Sequence, residues 1–489
     1  MQLLQNDSGG PTRRMPLVIA CCFLLLAGLG ETHAQTLRAQ IKITSVAPAR
    51  VQIDVQLPAA TDVLSFRNTH AGALGLGDRI ERMEVCSGTT EVKIKKLAPG
   101  EYQGEAKFTE LSYEVNITEP AQPAQMSRVS WLNSTQGLLM LADLLPRGIR
   151  GTGSVASIDL EVPSGWSAAS NISGKDHNYL TAEPEHGVFL VGASVREKSV
   201  RIGAGTLSFI TSDKWPISDD EALKIGEKLI REYSNMTGYS PKSNSSVMLI
   251  PYPGQEGPER WSAETRGNVV VLLLGRQASR KRVKAKLGIV LSHEIFHLWV
   301  PNALGLQGNY DWFFEGFTVY QALRMDLRLE LISFETYLET IARVYDSYLL
   351  SPDADRWSLI EASELRWTTV SSLVYEKGML IALLYDLALR SATNCQESLD
   401  DVYRQLFRQQ QIRQGSANET IIKVLSERTG METFSRDYVE KTGRIDLEQA
   451  LAPFGIQLKR STGKATQLRP ASDLNQTQRK GLRCLGYRG

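Results

Sequence analysis

Apolar and polar residues alternate along the first part of the chain, in short runs that are typical of β-strands. Every second position is apolar in Ala39–Ile43, Val51–Val55, Ser157–Val162 and Ser199–Ile202, which is the period of a strand with one buried face. Proline, glycine and asparagine separate these runs, as expected at turns. The pattern predicts a β-sandwich-like domain over residues 35–205.

The pattern becomes helical after about residue 215. Ser218 and Glu221 have the spacing of a capping box, and apolar residues then recur every three or four positions. Two continuous apolar runs, at 247–250 and 268–274, predict buried strands.

A helix-rich second half follows these strands. A long helix is predicted from Ser279 to Val300, where Pro301 would stop it. The last stretch, 458–489, is polar, and we expect a loosely ordered tail. Between them the strongest helical candidates are 329–350, 372–391, 398–411 and 417–428. A β-rich first part and a helix-rich second part predict the α+β fold class.

The composition is that of an ordinary globular protein. The 489 residues include 55 Lys and Arg against 54 Asp and Glu, a net charge of +1, so there is no electrostatic case for a nucleic-acid partner. A basic run between Arg276 and Lys286 contains no aromatic residue, and we interpret it as a solvated helix face. Outside the N-terminal apolar segment only Cys86, Cys395 and Cys484 remain, enough for at most one disulfide.

The first 34 residues have the order of a secretory signal peptide. Arg13 and Arg14 precede an apolar stretch of about 15 residues, shorter than the roughly 20 that a membrane-spanning helix needs, and Ala34 ends a small-residue cleavage site. An uncleaved anchor and a lipoprotein signal at Cys21 are the alternatives. We therefore expect an exported protein, periplasmic or extracellular, or anchored through its N-terminus. No other segment is long and apolar enough to span a membrane.

His293, Glu294 and His297 carry the sharpest chemical signal in the chain. Residues four apart lie on one face of a helix, so the two imidazoles can bind the same Zn²⁺ ion and leave positions open. Glu294 is offset from this face and can act as general base toward zinc-activated water. The spacing predicts a catalytic zinc site with one ion per chain.

A third protein ligand is predicted at Glu315. Gly305 and Gly308 allow the chain to turn back after the first helix, and a second helix starting near Trp312 would then present Glu315 to the zinc. Its neighbours are aromatic, and a carboxylate is costly to bury among them unless it is paired or bound to a metal. The alternative is an exposed helix carboxylate.

The segment His293–Trp299 followed by Trp312–Tyr320 resembles the gluzincin metallopeptidases, which include the aminopeptidase N family and the glycyl aminopeptidase family. Val374–Gly378 matches a further family segment, and the glycyl aminopeptidase family is the nearer of the two. The resemblance implies a zinc metallopeptidase that acts on peptide or protein substrates. It assigns zinc binding to His293, His297 and Glu315, the general base to Glu294, and polarisation of the substrate carbonyl to Tyr375.

The resemblance covers residues 215–457 and also implies a domain organisation. A thermolysin-like catalytic domain would span 206–330, and a helical domain completing the active site would span 331–457. In these families a glutamate binds the free amino terminus of the substrate, and Glu264 is the candidate. Two alternatives stay open for Glu264: pairing with Arg266, which would abolish that role, and a surface-loop carboxylate.

Three functions follow from these observations. The first is an exported zinc aminopeptidase, and the second is a zinc endopeptidase with the same site. The third is a β-rich exported binding protein with a non-catalytic zinc site. The remaining histidines, His70, His177 and His186, have no companion ligands in the sequence and are expected to be surface or loop residues.

Overall fold

The structure is a computed structural model that describes residues 36–147, 155–241, 243–253, 257–276, 279–409, 416–442, 445–461 and 463–488. The predicted signal segment at 1–34 lies outside the described residues. No helix in the described part of the chain is long and apolar enough to cross a bilayer.

The N-terminal part contains fifteen strands within its described residues, and they form two main sheets and a short hairpin. The strands are β1 Leu37–Val46, β2 Ala49–Ser65, β3 Thr69–His70, β4 Ala73–Leu74, β5 Ile80–Ser87, β6 Thr90–Val92, β7 Ile94–Ala98, β8 Glu101–Asn116, β9 Trp131–Leu132, β10 Gln136–Met140, β11 Ala156–Glu161, β12 Ser167–Ser170, β13 Ser173–Lys175, β14 Asn178–Thr181 and β15 Val188–Gly192. A short helix, α1, spans Leu141–Leu144.

The larger of these sheets has nine strands in the order β13-β14-β11-β1-β2-β8-β5-β6, with β7 also paired to β8. The smaller sheet has the order β12-β15-β10-β9. Alternate residues of β1, from Leu37 to Ile43, are buried, and they share one core with Leu139 and Phe189 of the smaller sheet. The predicted sandwich-like packing is therefore confirmed.

A five-stranded sheet follows, in the order β16-β17-β18-β20-β19. Its strands are β16 Arg196–Ile202, β17 Gly205–Thr211, β18 Ser245–Pro251, β19 Trp261–Arg266 and β20 Val269–Leu274. Strands β17, β18 and β20 are mutually parallel, and β19 returns antiparallel to β20. The predicted domain boundary between residues 205 and 206 falls at the start of β17, which pairs with β16, so both strands belong with this sheet.

Two helices pack near this sheet. Helix α2, Asp219–Thr237, begins with the predicted capping box of Ser218 and Glu221. Helix α3, Arg280–Phe296, is capped by Ser279 and ends four residues before the predicted position. The chain continues as a wide helical turn over Leu298–Ala303, in which Val300 leaves helical geometry with φ −127° and ψ 109°.

The C-terminal part of the chain is helical, as the sequence predicts. The helices are α4 Thr318–Arg328, α5 Phe334–Leu350, α6 Leu359–Glu364, α7 Ser371–Ala392, α8 Leu399–Arg408, α9 Ala417–Ser426, α10 Leu447–Leu451 and α11 Gln476–Cys484. Helix α5 starts five residues later than predicted because Ser333 caps it, accepting a hydrogen bond from the amide of Thr336.

The expectation of a loosely ordered tail is wrong. Strands β21 Ile456–Lys459 and β22 Gln467–Pro470 form a hairpin, and α11 packs its buried Leu482 into the main core. A disulfide joins Cys395 to Cys484 across 89 positions of sequence. The polar composition of this segment suggested disorder, but one disulfide and a few apolar contacts hold it to the rest of the chain.

Candidate metal centre and cleft

Helix α3 carries His293 in its last turn and is followed by His297 as its C-terminal capping residue, and the Nε2 atoms of the two side chains lie 3.1 Å apart. Nδ1 of His297 lies 2.8 Å from the carbonyl oxygen of Val300. That carbonyl can only accept, so Nδ1 donates and Nε2 is the nitrogen left to bind a metal ion, which would displace any proton that Nε2 carries. The departure of Val300 from helical geometry thus fixes the tautomer of a predicted ligand.

Glu315 lies on a wide helical turn over Trp312–Phe317 that leads into α4. The next residue, Gly316, packs directly on Gly378 of α7, and a Cβ on Gly316 would lie 2.6 Å from the Cα of Gly378. Only glycine permits this approach at both positions. The contact brings Glu315 next to Tyr375, which is one turn earlier on α7.

The three predicted ligands meet at one point. Oε2 of Glu315 lies 3.2 Å from Nε2 of His293 and 3.5 Å from Nε2 of His297. Ligand atoms placed tetrahedrally at 2.0–2.2 Å around a zinc ion lie about 3.3–3.6 Å from one another. The triangle has nearly this size, and two imidazoles with one carboxylate form a donor set that catalytic zinc uses. The group fits a zinc ion.

The electrostatics of this cluster also favour a cation. Burial by itself would lower the pKa of His297, but the carboxylates of Glu315 and Glu294 raise it to about 9. Burial would raise the pKa of Glu315, yet the charge of His297 and hydrogen bonds from both histidines hold it well below its usual value. The carboxylates therefore attract positive charge to the point where the ligand atoms converge.

Glu294 lies beside the three predicted zinc ligands and is not one of them. Its Oε2 lies 2.8 Å from the hydroxyl of Thr265, which also lies 2.8 Å from the backbone oxygen of Glu294. Thr265 belongs to β19, so the edge of the five-stranded sheet orients this carboxylate. The side chain is buried but lines the cleft that contains the histidines.

Sequence reasoning missed Arg366, which lies between α6 and α7. Its Nη2 lies 2.5 Å from Oε1 of Glu315 and 2.8 Å from the hydroxyl oxygen of Tyr375, and its Nη1 lies 3.0 Å from Asp311. A guanidinium can only donate, so the Tyr375 oxygen accepts and its own hydrogen is available to another acceptor. Burial and the charge of Glu315 raise the pKa of Tyr375, which keeps that hydrogen in place.

Glu264 lies on β19 and is 15% exposed, so the surface-loop alternative is wrong. Its Oε1 lies 2.8 Å from Nε2 of His70 and 2.9 Å from Nη2 of Arg266. Its Oε2 is buried and has no hydrogen-bond partner among the described residues. Burial would raise the pKa of Glu264, but the hydrogen bond with His70 and the charge of Arg266 hold it below its usual value.

His70 is not the surface residue that the sequence suggests, because it is partly buried and links the N-terminal part of the chain to β19. Its Nδ1 lies 2.9 Å from Nη1 of Arg67. Its Nε2 lies 2.8 Å from Oε1 of Glu264 and 2.7 Å from Nη2 of Arg266. His177 is exposed, and His186 lies at the surface with its side chain 42% exposed, as expected.

One cleft of about 510 Å³ contains the predicted site residues, including Glu264. The N-terminal part supplies one wall through Ala71, Ala124 and Arg128. A second cleft of about 620 Å³ adjoins it and shares lining residues with it. The shared lining residues are Trp261, His293, Glu294 and Tyr375.

Comparison with solved structures identifies the fold. The structure is similar to an aminopeptidase N family protein from Idiomarina loihiensis, with a TM-score of 0.75, 18% identity, and coverage of 87% of this chain and 79% of that chain. It is also similar to an M1 zinc metallopeptidase from Deinococcus radiodurans, with a TM-score of 0.52, 15% identity, and coverage of 85% and 95%. A mutant of the latter, bound to a Tyr-Ser-Ala substrate, gives a TM-score of 0.51 at 13% identity over 84% of this chain.

No family model and no curated protein matches this sequence. The chain has the fold of the M1 zinc metallopeptidases, so the gluzincin-type fold implied by the sequence resemblance is confirmed.

Proposed function

We propose that this chain is a zinc metallopeptidase that hydrolyses peptide bonds, and that it acts as an aminopeptidase. One observation carries the proposal: three ligand atoms of zinc-site geometry, a separate carboxylate and a hydroxyl donor all face one cleft. His293, His297 and Glu315 would hold the ion. When bound, zinc would supply Lewis-acid polarisation of the substrate carbonyl and of water.

Glu294 is the general base in this proposal. Thr265 fixes one of its oxygens, and the carboxylate remains beside the histidines without joining the ligand set. It takes a proton from the attacking water and passes it to the leaving amine. Its burial limits competition from bulk solvent.

Tyr375 stabilises the negative charge that develops on the substrate carbonyl oxygen. Arg366 donates a hydrogen bond to the hydroxyl oxygen of Tyr375. The hydroxyl hydrogen of Tyr375 can therefore be donated to a group in the cleft. Arg366 also restrains the outer oxygen of Glu315. It is a positioning residue because it acts through Tyr375 and Glu315.

The aminopeptidase assignment rests on Glu264. Its Oε2 is buried beside the cleft and has no hydrogen-bond partner among the described residues, and a buried carboxylate oxygen is stabilised by a cationic donor such as a free amino terminus. Solved neighbours include an aminopeptidase N family protein. The observation that favours an endopeptidase is that His70 and Arg266 already occupy the other oxygen.

Zinc content and hydrolysis test the proposal together. The purified protein should bind one zinc ion, and His297→Ala should lose both the ion and activity. Peptides with free amino termini should be cleaved and their acetylated counterparts should not. Cleavage of acetylated peptides at equal rates would favour the endopeptidase, and absence of zinc at neutral pH would contradict the ligand set.

Export stays a prediction from the N-terminal segment. N-terminal sequencing of the protein recovered outside the cytoplasm should find a mature start near Ala34. A chain that begins at Met1 would contradict cleavage.

A further inference from the structure

Arg128 lines the cleft and has no role in the proposed mechanism. Its side chain is 31% exposed, and its Nε lies 4.0 Å from Oε2 of Glu264. Nη1 donates to the carbonyl oxygen of Ala71 over 2.8 Å. Among the described residues, this is the only hydrogen bond that the guanidinium donates. The Ala71 contact holds a charged group at the cleft wall, with most of its five N–H donors available to a ligand.

The charges around Glu264 do not balance without a ligand. Glu264 contributes one negative charge, whereas Arg266 and Arg128 contribute two positive charges within 4.0 Å of its carboxylate. Arg67 lies behind His70, and its charge is paired with Glu185 over 3.0 Å. A substrate that brings only an ammonium group would add to this surplus. A substrate that also brings a carboxylate would cancel its own added charge.

We propose that this part of the cleft selects peptides whose first residue is aspartate or glutamate. The α-ammonium group binds Oε2 of Glu264, and the side-chain carboxylate binds the guanidinium of Arg128. An N-terminal acidic residue presents these two groups separated by a short carbon chain, and the two protein groups that would receive them are neighbours at 4.0 Å. The inference rests on the proposed aminopeptidase function and names its substrate class.

The position of Arg128 relative to the reacting bond supports this assignment. Arg128, Glu264 and Tyr375 line the same cleft. Arg128 and Glu264 therefore face the same space as the hydroxyl that would receive the substrate carbonyl. A residue bound between Glu264 and Arg128 would place its own carbonyl on the side of Tyr375.

A pair of fluorogenic amides tests the inference, one glutamyl and one glutaminyl, because they differ in charge and hardly in shape. The wild-type protein should prefer the glutamyl amide by about tenfold or more in kcat/KM, the value of one charge-assisted hydrogen bond. Arg128→Gln should reduce this ratio to near one. Arg128→Glu should instead favour a lysyl amide. Arg82→Gln removes an exposed arginine that pairs with Glu114 on the nine-stranded sheet, and it should keep the wild-type ratio.

The outcomes separate this inference from the proposed function. Equal kcat/KM for the two amides in the wild-type protein would overturn the acidic preference and leave the aminopeptidase standing. Cleavage of acetylated peptides, without cleavage of peptides that have free amino termini, would overturn both the acidic preference and the aminopeptidase function. The ratio of kcat/KM for the glutamyl and glutaminyl amides in the wild-type protein tests the acidic preference even if a substitution at Arg128 impairs folding.

Discussion

Replacing Arg366 by glutamine should weaken zinc binding and catalysis together, although Arg366 is not a zinc ligand. The guanidinium donates to Glu315, Tyr375 and Asp311 over 2.5, 2.8 and 3.0 Å. A glutamine side chain is shorter and can replace at most one of these bonds. Oε1 of Glu315 then becomes a buried acceptor without a donor, and its carboxylate is free to rotate.

The expected magnitude follows from the partners that are lost. Removing a hydrogen-bond partner of a metal ligand typically reduces metal affinity or activity about 10–100-fold. Breaking a buried ion pair by removing one partner costs about 3–5 kcal/mol of folding stability. Both Arg366 and Glu315 are at most 13% exposed, so little solvent screening reduces these effects. Arg366→Lys should be more stable than Arg366→Gln, because lysine keeps the positive charge. It should restore few of the three hydrogen bonds to Glu315, Tyr375 and Asp311.

Chelator competition would measure the zinc dissociation constant, a fluorogenic amide would give kcat and KM, and thermal unfolding would report stability separately. Tyr375→Phe is the matched control, since it should leave zinc affinity unchanged. The double variant should lose less kcat than the product of the two single losses, because Arg366 acts partly through Tyr375. Normal zinc affinity and normal kcat in a folded Arg366→Gln variant would refute the positioning role.

Three further predictions concern single residues. Glu294→Gln should retain zinc by metal analysis and lose about 10²–10⁴-fold in kcat; near-normal turnover would exclude it as the base. Tyr375→Phe should lower kcat about 10²–10³-fold with little change in KM, and an unchanged kcat would remove its role at the oxyanion. Burial would raise the pKa of Asp386, but Arg324 and Arg390 lower it to about 2. Its stabilisation, on the order of 2 kcal/mol, is therefore complete above about pH 4 and is lost as the pH falls towards 2. Acid unfolding should be shallower in Asp386→Asn, and an identical acid profile would contradict the assignment.

Much of the proposed metal centre could be predicted because it depends on local spacing. His293 and His297 lie one helical turn apart, so the sequence alone places them on one face. Glu315 was predicted from its aromatic neighbours, where an unpaired carboxylate is costly. Val300 escaped prediction because its carbonyl reaches His297 only after the helix opens at this point.

The residues that were missed depend on distant parts of the chain. Arg366 is 51 positions from Glu315, and their contact follows from the close approach of Gly316 to Gly378. His70 is 194 positions from Glu264. No periodicity in the sequence reports such pairings, because each is set by how separate elements pack.

The stacking of three sheets explains why the N-terminal part contributes to the cleft. The four-stranded sheet is buried on both faces: Leu139 packs towards the nine-stranded sheet, whereas Leu138 packs against Met248 and Val271 of the five-stranded sheet. Without the N-terminal strands, that apolar face would be exposed to water, which is unfavourable by about 25 cal/mol per Å². The same packing brings His70 to Glu264 and Arg128 to the cleft wall. The proposed substrate contacts and the folding stability therefore depend on the same interface between the two halves of the chain.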